Sequence, residues 1–312
     1  MSTFLIDRSA RLRMTFTGEK AKESLGGLVT NDVVALTPGH GHRAVALTSK
    51  GRVIAMVRVF DRGTDLLLDS EPESAESFVT MIKKFVNPRT AKYAVITETT
   101  ACLGIHGQDA AAKLAPHVGM DVTTLSALPP LGLARAVDGT FDVIRSTELS
   151  VPGFDVVGTR ESVAALRRAL EQEGLHEIAA DEVEIARVEV GLPRFGVDMD
   201  AETMPQEANL DTLGAISFTK GCYTGQEVVA RIHFRGHVNK HLRWLSTEQP
   251  LTRGAVVLDA AGKEVGDVRS AVVSGKRGPL AMAMVRREVE PGSAVTVRDG
   301  ERTLSARVEA IA

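Results

Sequence analysis

The chain has 312 residues, with 37 Lys and Arg against 40 Asp and Glu and a formal net charge of -3; at about 150 residues per domain this suggests two domains, or three small ones. Only two cysteines are present, Cys102 and Cys222, which excludes a disulfide scaffold, a zinc ribbon and a resident iron–sulfur cluster with four ligands from one chain. Aromatic residues are only 4%, with one Trp and two Tyr, so stacking platforms for nucleic acid are few and the charge disfavours a general polyanion binder.

Residues 1–8 show no basic stretch leading into an apolar core, so a signal peptide is not expected. Nor does any apolar run approach the length of a membrane span. Reduced cysteines without an export signal point to the cytoplasm. Residues 11–16 alternate with period two, as a half-buried strand does, and 19–25 read as a helix stopped by Gly26-Gly27. Residues 44–48 and 53–60 flank a Ser49-Lys50-Gly51 turn, and its turn residues predict a hairpin. A strand over 65–68, a helix over 73–85, strands over 93–96 and 101–105 and a helix over 108–114 follow. Over 43–127 this predicts helices on one face of an antiparallel sheet.

Leu128-Pro129-Pro130-Leu131 reads as a crossover, with strands over 141–144 and 154–157 beyond it. The helix over 160–173 carries Val163, Leu166 and Leu170 on one face. Asp181 with Glu184 resembles a capping box, opening a helix that stops at Gly191-Leu192-Pro193. Beyond His241 six short β-rich runs, 255–258, 265–268, 271–273, 282–285, 294–297 and 306–308, are separated by Gly, Pro and charged turns. Strands so spaced without helices predict a small barrel or sandwich.

The most informative stretch is Phe218-Thr219-Lys220-Gly221-Cys222-Tyr223-Thr224-Gly225-Gln226-Glu227. Thr224 with Glu227 makes another capping box, which places a helix start just after the cysteine and a stop at Gly236. A helix N-terminus and the Lys220 cation both favour thiolate over thiol, making Cys222 the candidate reactive or ligating sulfur. The plainer reading is a small hydrophobe beside a turn.

The segment Lys220 to Glu227, followed by Val229-Ala230-Arg231 and Phe234-Arg235-Gly236, resembles the signature of the YgfZ family of folate-binding proteins. That family shares its fold with the glycine-cleavage T-protein, an aminomethyltransferase. Thr30-Asn31-Asp32-Val33, Gly51-Arg52, the run from Arg187 to Pro193, and Pro205-Gln206-Glu207-Ala208-Asn209-Leu210 match further elements in the same order. The resemblance spans essentially the whole chain. It implies an α+β fold, a three-domain aminomethyltransferase-like ring with a ferredoxin-like middle domain and a small C-terminal β-barrel. The boundaries expected are 1–42 with 128–240 for the folate-binding domain, 43–127 for the middle domain and 241–312 for the barrel.

The resemblance also implies tetrahydrofolate, or a derivative, as ligand, and a part in assembling or repairing iron–sulfur clusters. Clients would include tRNA-thiomethylating enzymes, and mitochondrial relatives serve as late cluster-assembly factors. Expected partners are therefore a reduced folate and iron–sulfur client enzymes or assembly proteins, with no directly bound nucleic acid and no membrane. Cys222, with Lys220 as its activator, is the candidate functional thiol and a possible transient cluster ligand; no permanent metal is expected.

A pterin edge donates hydrogen bonds, so buried carboxylates suit it. Glu189 stands where T-protein-like chains present one, the alternative being a solvated carboxylate paired with Arg187 or Arg194. Asn31 and Asp32 are candidates for the pocket wall, or a turn bonding its own backbone. Tyr223 and Gln226 would position the motif. Arg231, Arg235, Lys240 or Arg243 could meet the folate tail, although a strip with no acid between Glu227 and Glu248 is more often a solvated face. His233, His237 and His241 recur every four residues, but Gly236 interrupts a common helix and no nearby ligand completes a metal set.

One departure bears on catalysis. The T-protein pattern places an acidic pair after its Gly-Gly hairpin, and aligned on Gly51 this chain has Ala55 and Met56 there. Proton transfer near the pterin needs such a group. Its loss argues against aminomethyl transfer while leaving folate binding intact, with Asp32 a conceivable substitute. A folate-binding auxiliary for iron–sulfur enzymes is thus set beside two alternatives, a tetrahydrofolate-dependent aminomethyltransferase and a non-catalytic ring scaffold.

Overall fold

The computed structural model describes residues 3–311. The chain divides into two compact units. One takes the segment up to Ala46, Ala55–Ala179 and Thr219–Tyr223; the other takes Leu47–Ile54, Ala180–Phe218 and the segment from Thr224 onward.

The first unit begins with β1 (Phe4–Asp7), β2 (Leu12–Thr17), α1 (Ala21–Gly26), β3 (Gly41–Leu47), β4 (Val53–Asp61), β5 (Leu66–Ser70), α2 (Ala75–Phe85) and β6 (Lys92–Val95). It continues with β7 (Thr100–His106), α3 (Ala110–Val118), α4 (Val122–Ala127), β8 (Leu133–Arg135), β9 (Asp142–Ser146), β10 (Gly153–Thr159) and α5 (Arg160–Gln172). These strands form two five-stranded sheets, ordered β1-β7-β10-β9-β8 and β3-β4-β5-β2-β6. The strands expected to share one layer over 43–127 are therefore split. The reason is long-range pairing: β5 takes β2 as its neighbour and β7 lies between β1 and β10.

On the first sheet, α5 buries Val163, Leu166 and Leu170 against Leu103, Phe154 and Val156, as its helical spacing predicts. Thr159 caps that helix, its hydroxyl accepting from the Ser162 N–H at 3.1 Å. The short α4 carried no periodic signal; it is started by Asp121, which accepts from the Thr124 N–H at 2.7 Å. Between the sheets, Phe60 and Leu67 pack with Cys102, Ile144 and Val157. Burial pushes the Cys102 thiol up to about 12, so this cysteine is a small core hydrophobe, as its apolar strand suggested.

A second, ionic layer joins the same sheets. Arg58 on β4 donates from Nε to Asp69 of β5 at 2.8 Å and from a terminal nitrogen to Asp155 of β10 at 2.6 Å. Arg8 pairs with Glu148 and its Nε lies 3.1 Å from Asp155, while Arg11 reaches Asp69 at 3.1 Å and also pairs with Glu71. Arg58, Asp69, Glu148 and Asp155 are buried. Burial opposes ionisation of Glu148, but the guanidiniums of Arg58, Arg8 and Arg11 outweigh it and hold the carboxyl well below its usual range. Arg8 and Arg58 do the same for Asp155.

The second unit holds α6 (Ala180–Glu189), α7 (Gln226–Arg235) and six strands: β11 (Lys240–Thr247), β12 (Val256–Leu258), β13 (Glu264–Ser274), β14 (Gly278–Arg286), β15 (Ala294–Asp299) and β16 (Arg302–Glu309). The strands close into a barrel ordered β11-β14-β13-β12-β15-β16, filled by Leu245, Val257, Val268, Val285, Val297 and Val308. The runs 265–268 and 271–273 are one strand, β13, with a register shift between Val268 and Ser270 that mimicked a turn in the sequence. Val188 of α6 packs on Leu242, Met282 and Ile311, and the Trp244 indole N–H donates to the Val188 carbonyl at 2.8 Å.

The Asp181–Glu184 capping box does not form. The helix already includes Ala180, and the Glu184 carboxylate accepts from Arg187 at 2.6 and 2.9 Å instead.

Removing one partner of a buried pair strands the other charge, so Asp155→Asn is expected to cost about 3–5 kcal/mol in urea denaturation. A loss below about 1 kcal/mol would contradict the ionic account. The carboxyls of Asp69, Glu148 and Asp155 are lowered in the folded state. The unfolded chain therefore binds more protons in acid, and the stabilisation, present above the unfolded values of about 4, is lost as pH falls through the folded ones. Stability measured from pH 7 downward should drop steeply below about pH 4, and less steeply in Asp155→Asn.

Candidate functional site

In the second unit, the Ser49-Lys50-Gly51 hairpin docks against the start of α7. The Thr48 N–H donates to the Arg52 carbonyl at 2.9 Å, closing the turn, and Gly51 adopts φ +73°. Gly225 stands immediately before α7 at φ +84°, and a Cβ added there would lie 2.6 Å from the Thr48 carbonyl oxygen. Only glycine fits both the left-handed backbone and the close approach. This contact sets how the chain enters α7, and the Thr224–Glu227 capping box is not made: the N-cap is Gly225, without a side-chain bond, and Glu227 is exposed. The Gly236 stop is as expected.

The Pro205–Leu210 match is a bracket for the same helix and the barrel. Gln206 donates from its amide to the Val229 carbonyl of α7 at 2.9 Å, and Asn209 to the Leu242 carbonyl of β11 at 2.9 Å. Asn209 adopts φ +57°, a conformation asparagine tolerates.

In the first unit, the Asn31–Asp32 turn is bonded largely to backbone. Asn31 donates to the Arg43 carbonyl at 2.8 Å and accepts the Asp32 N–H at 2.9 Å, and Asp32 accepts the Ala35 N–H at 3.1 Å. Lys220 belongs to this neighbourhood. Its ammonium donates to the carbonyls of Gly26 and, at 2.8 Å, Val29, and lies 5.0 Å from the centre of the Tyr223 ring. Burial lowers the Lys220 ammonium to about 8, with Asp32 opposing the shift; burial raises the Tyr223 hydroxyl to about 12. Lys220 and Tyr223 thus tie the motif to the loop after α1, and between them Cys222 stands exposed with a free thiol. The helix begins at Gln226, four residues beyond the cysteine. The end of a helix dipole acts within about one turn.

His42 was not marked by any sequence pattern. Its Nδ1 lies 3.2 Å from the Arg43 carbonyl that Asn31 also uses, and its Nε2 is buried without a hydrogen-bond partner among the described residues. With Nδ1 as the donor, Nε2 is left as an acceptor, and burial lowers the ring's basicity.

Glu189 belongs to the second unit and takes neither arginine suggested by the sequence. Arg187 is committed to Glu184 and Asp198, and Arg194 to Glu184. Ser274 at the end of β13 donates to Glu189 at 2.6 Å, Lys276 lies 3.7 Å away, and the side chain is only 9% exposed. Gln226, Arg231 and Arg235 share α7, half-buried in the first case and exposed in the others. The candidates thus form two sets, Asn31, Asp32, Lys220, Cys222 and Tyr223 in one unit and Glu189, Gln226, Arg231 and Arg235 in the other. Ala55 is fully buried on β4 and Met56 half-buried. His233, His237 and His241 fall on α7, the connector after it and β11.

Residues 2–220 match the GCVT N-terminal domain family, and residues 239–311 the CAF17 C-terminal beta-barrel domain. The chain is 29% identical over 309 residues to the tRNA-modifying protein YgfZ of Escherichia coli (strain SMS-3-5 / SECEC), covering 93% of this chain and 87% of that one. Identity to the protein of the same name from Cronobacter sakazakii is 28% over 304 residues, with the same coverage. The fold is that of the glycine cleavage system aminomethyltransferase T from Bartonella henselae, with a TM-score of 0.90, 21% identity, and 99% of this chain and 85% of that one covered.

Gly225→Ala is expected to cost about 1–3 kcal/mol in urea denaturation, from left-handed strain and the clash with Thr48. Gly221→Ala, where an added Cβ meets nothing within 4 Å, should stay within about 0.5 kcal/mol of the parent. Equal effects would remove the contact from its place in the motif.

Proposed function

The chain belongs to the GCVT N-terminal domain family, and we propose on that premise that it is a tetrahydrofolate-binding auxiliary protein for iron–sulfur enzymes, acting in the cytoplasm. Clients would include those that thiomethylate tRNA, in keeping with the tRNA-modifying name of its relatives. The carrying observation is the contrast between the thiols. Cys102 is sealed in the core, whereas Cys222 is exposed in a motif whose Lys220, Tyr223 and Gly225 hold structure. Cys222 would ligate or shield a cluster in transit, the partner supplying the other ligands, since two cysteines in all cannot hold one alone.

A pterin needs acceptors for its N–H groups. In the first unit Asp32 offers carboxylate oxygens, and with Nδ1 as the donor the buried Nε2 of His42 is an acceptor lacking a partner among the described residues; Glu189, in the second unit, is a separate carboxylate candidate. Asn31 would hold the wall, while Tyr223 and Gln226 would keep the motif in place. When bound, a reduced folate supplies nitrogens that carry one-carbon groups and a ring that can be oxidised. The fold also hosts aminomethyl transfer in a solved structure, but here a buried Ala55 and a half-buried Met56 offer no proton carrier.

Anaerobic titration calorimetry with tetrahydrofolate tests the folate assignment. Saturable binding is expected, weakened about tenfold by Glu189→Gln, as loss of a charge-assisted hydrogen bond predicts. Absence of binding heat would overturn the folate reading and favour a scaffold. With an aminomethylated carrier protein and added tetrahydrofolate, the chain should form no methylene-tetrahydrofolate and free no ammonia; formation of both would reverse the reading of Ala55 and Met56.

A further inference from the structure

We propose that the outer face of α7 docks an acidic protein segment that rests an apolar side chain on Phe234. Only Val229 of the ten residues in this helix is buried, and Phe234 is 65% exposed. Isolated exposed apolar residues are common, but Phe234 belongs to a built aromatic set. Phe218 and His233 stack with centroids 3.6 Å apart and planes 13° off parallel, and Phe234 stands edge-on to both, 6.2 Å from one and 4.7 Å from the other. The stack supports the Phe234 ring in solvent, so less ordering entropy is lost when a partner covers it.

The surroundings are cationic. Arg231, Arg235 and Lys240 are all exposed, and the sequence has no acid between Glu227 and Glu248. Among the described residues, no carboxylate lies within ion-pair reach of Arg231, Arg235 or Lys240. An aromatic anchor flanked by arginines has the composition of protein-binding hot spots. Carboxylates on the partner would meet the guanidiniums, and an apolar side chain would complete the aromatic face. A nucleic acid fits less well: the chain is net negative, and a polyanion gains its affinity from neutralising many phosphates along an extended basic track. The exposure of both arginines also suits a macromolecular surface better than enclosure of a folate tail. This inference does not depend on folate binding.

Fluorescence anisotropy on the full chain tests it, with a short labelled peptide alternating Glu and Phe, its Lys-for-Glu counterpart, and an oligouridine of matched length. The acidic peptide should bind saturably and the lysine peptide should not. Phe234→Ser and the double variant Arg231→Glu/Arg235→Glu should each weaken binding about tenfold, the loss expected at a hot spot. Both alter exposed side chains, so thermal melts should match the parent, and either variant alone serves if the other fails to fold. The proposal is overturned by tighter binding of oligouridine than of the acidic peptide, by no saturable peptide binding, or by affinity unchanged in a folded variant.

Discussion

The first unit depends on Arg58. From β4 it bonds Asp69 of its own sheet and Asp155 of the other, so one guanidinium fixes the distance between two sheets. Arg8 and Arg11, on the short link from β1 to β2, complete the cluster with Glu148, Asp155 and Asp69. Burying these ions is unfavourable unless geometry and hydrogen bonding are good, and removing one partner strands the charge of the other. The adjoining apolar cluster around Cys102 and Phe60 supplies the non-directional attraction that the ions orient.

The cysteine motif works by a similar division of labour. Lys220 spends its charge on two backbone carbonyls and an aromatic face, and Gly225 surrenders its side chain to the Thr48 contact. What is left over is the exposed thiol. Ser274 holds the Glu189 carboxylate in place, whereas among the described residues no carboxylate pairs with the exposed Arg231 and Arg235.

Much of this was legible in the sequence because it is local. The α5 face, the barrel strands, the Gly236 stop and the inequality of Cys102 and Cys222 all follow from period, turn residues and neighbours. Both capping boxes failed because a four-residue pattern is only a weak preference: the tertiary contact with Thr48 outvoted it at Gly225, and an ion pair three residues along the same helix, with Arg187, took Glu184. The ionic cluster was invisible because its members range from Arg8 to Asp155 and each is an ordinary charged residue on its own. The hold of Lys220 on Gly26 and Val29 and the buried nitrogen of His42 were hidden likewise.

The central claim is that the exposed thiol, and not the fold alone, serves iron–sulfur clients. The most direct measurement is tRNA thiomethylation in a strain lacking the native protein and supplied with the parent chain or Cys222→Ala at equal abundance. The account predicts that the parent restores the modification and Cys222→Ala leaves it near the deletion level, with Cys102→Ala behaving as the parent wherever it folds. Full modification with Cys222→Ala would contradict it.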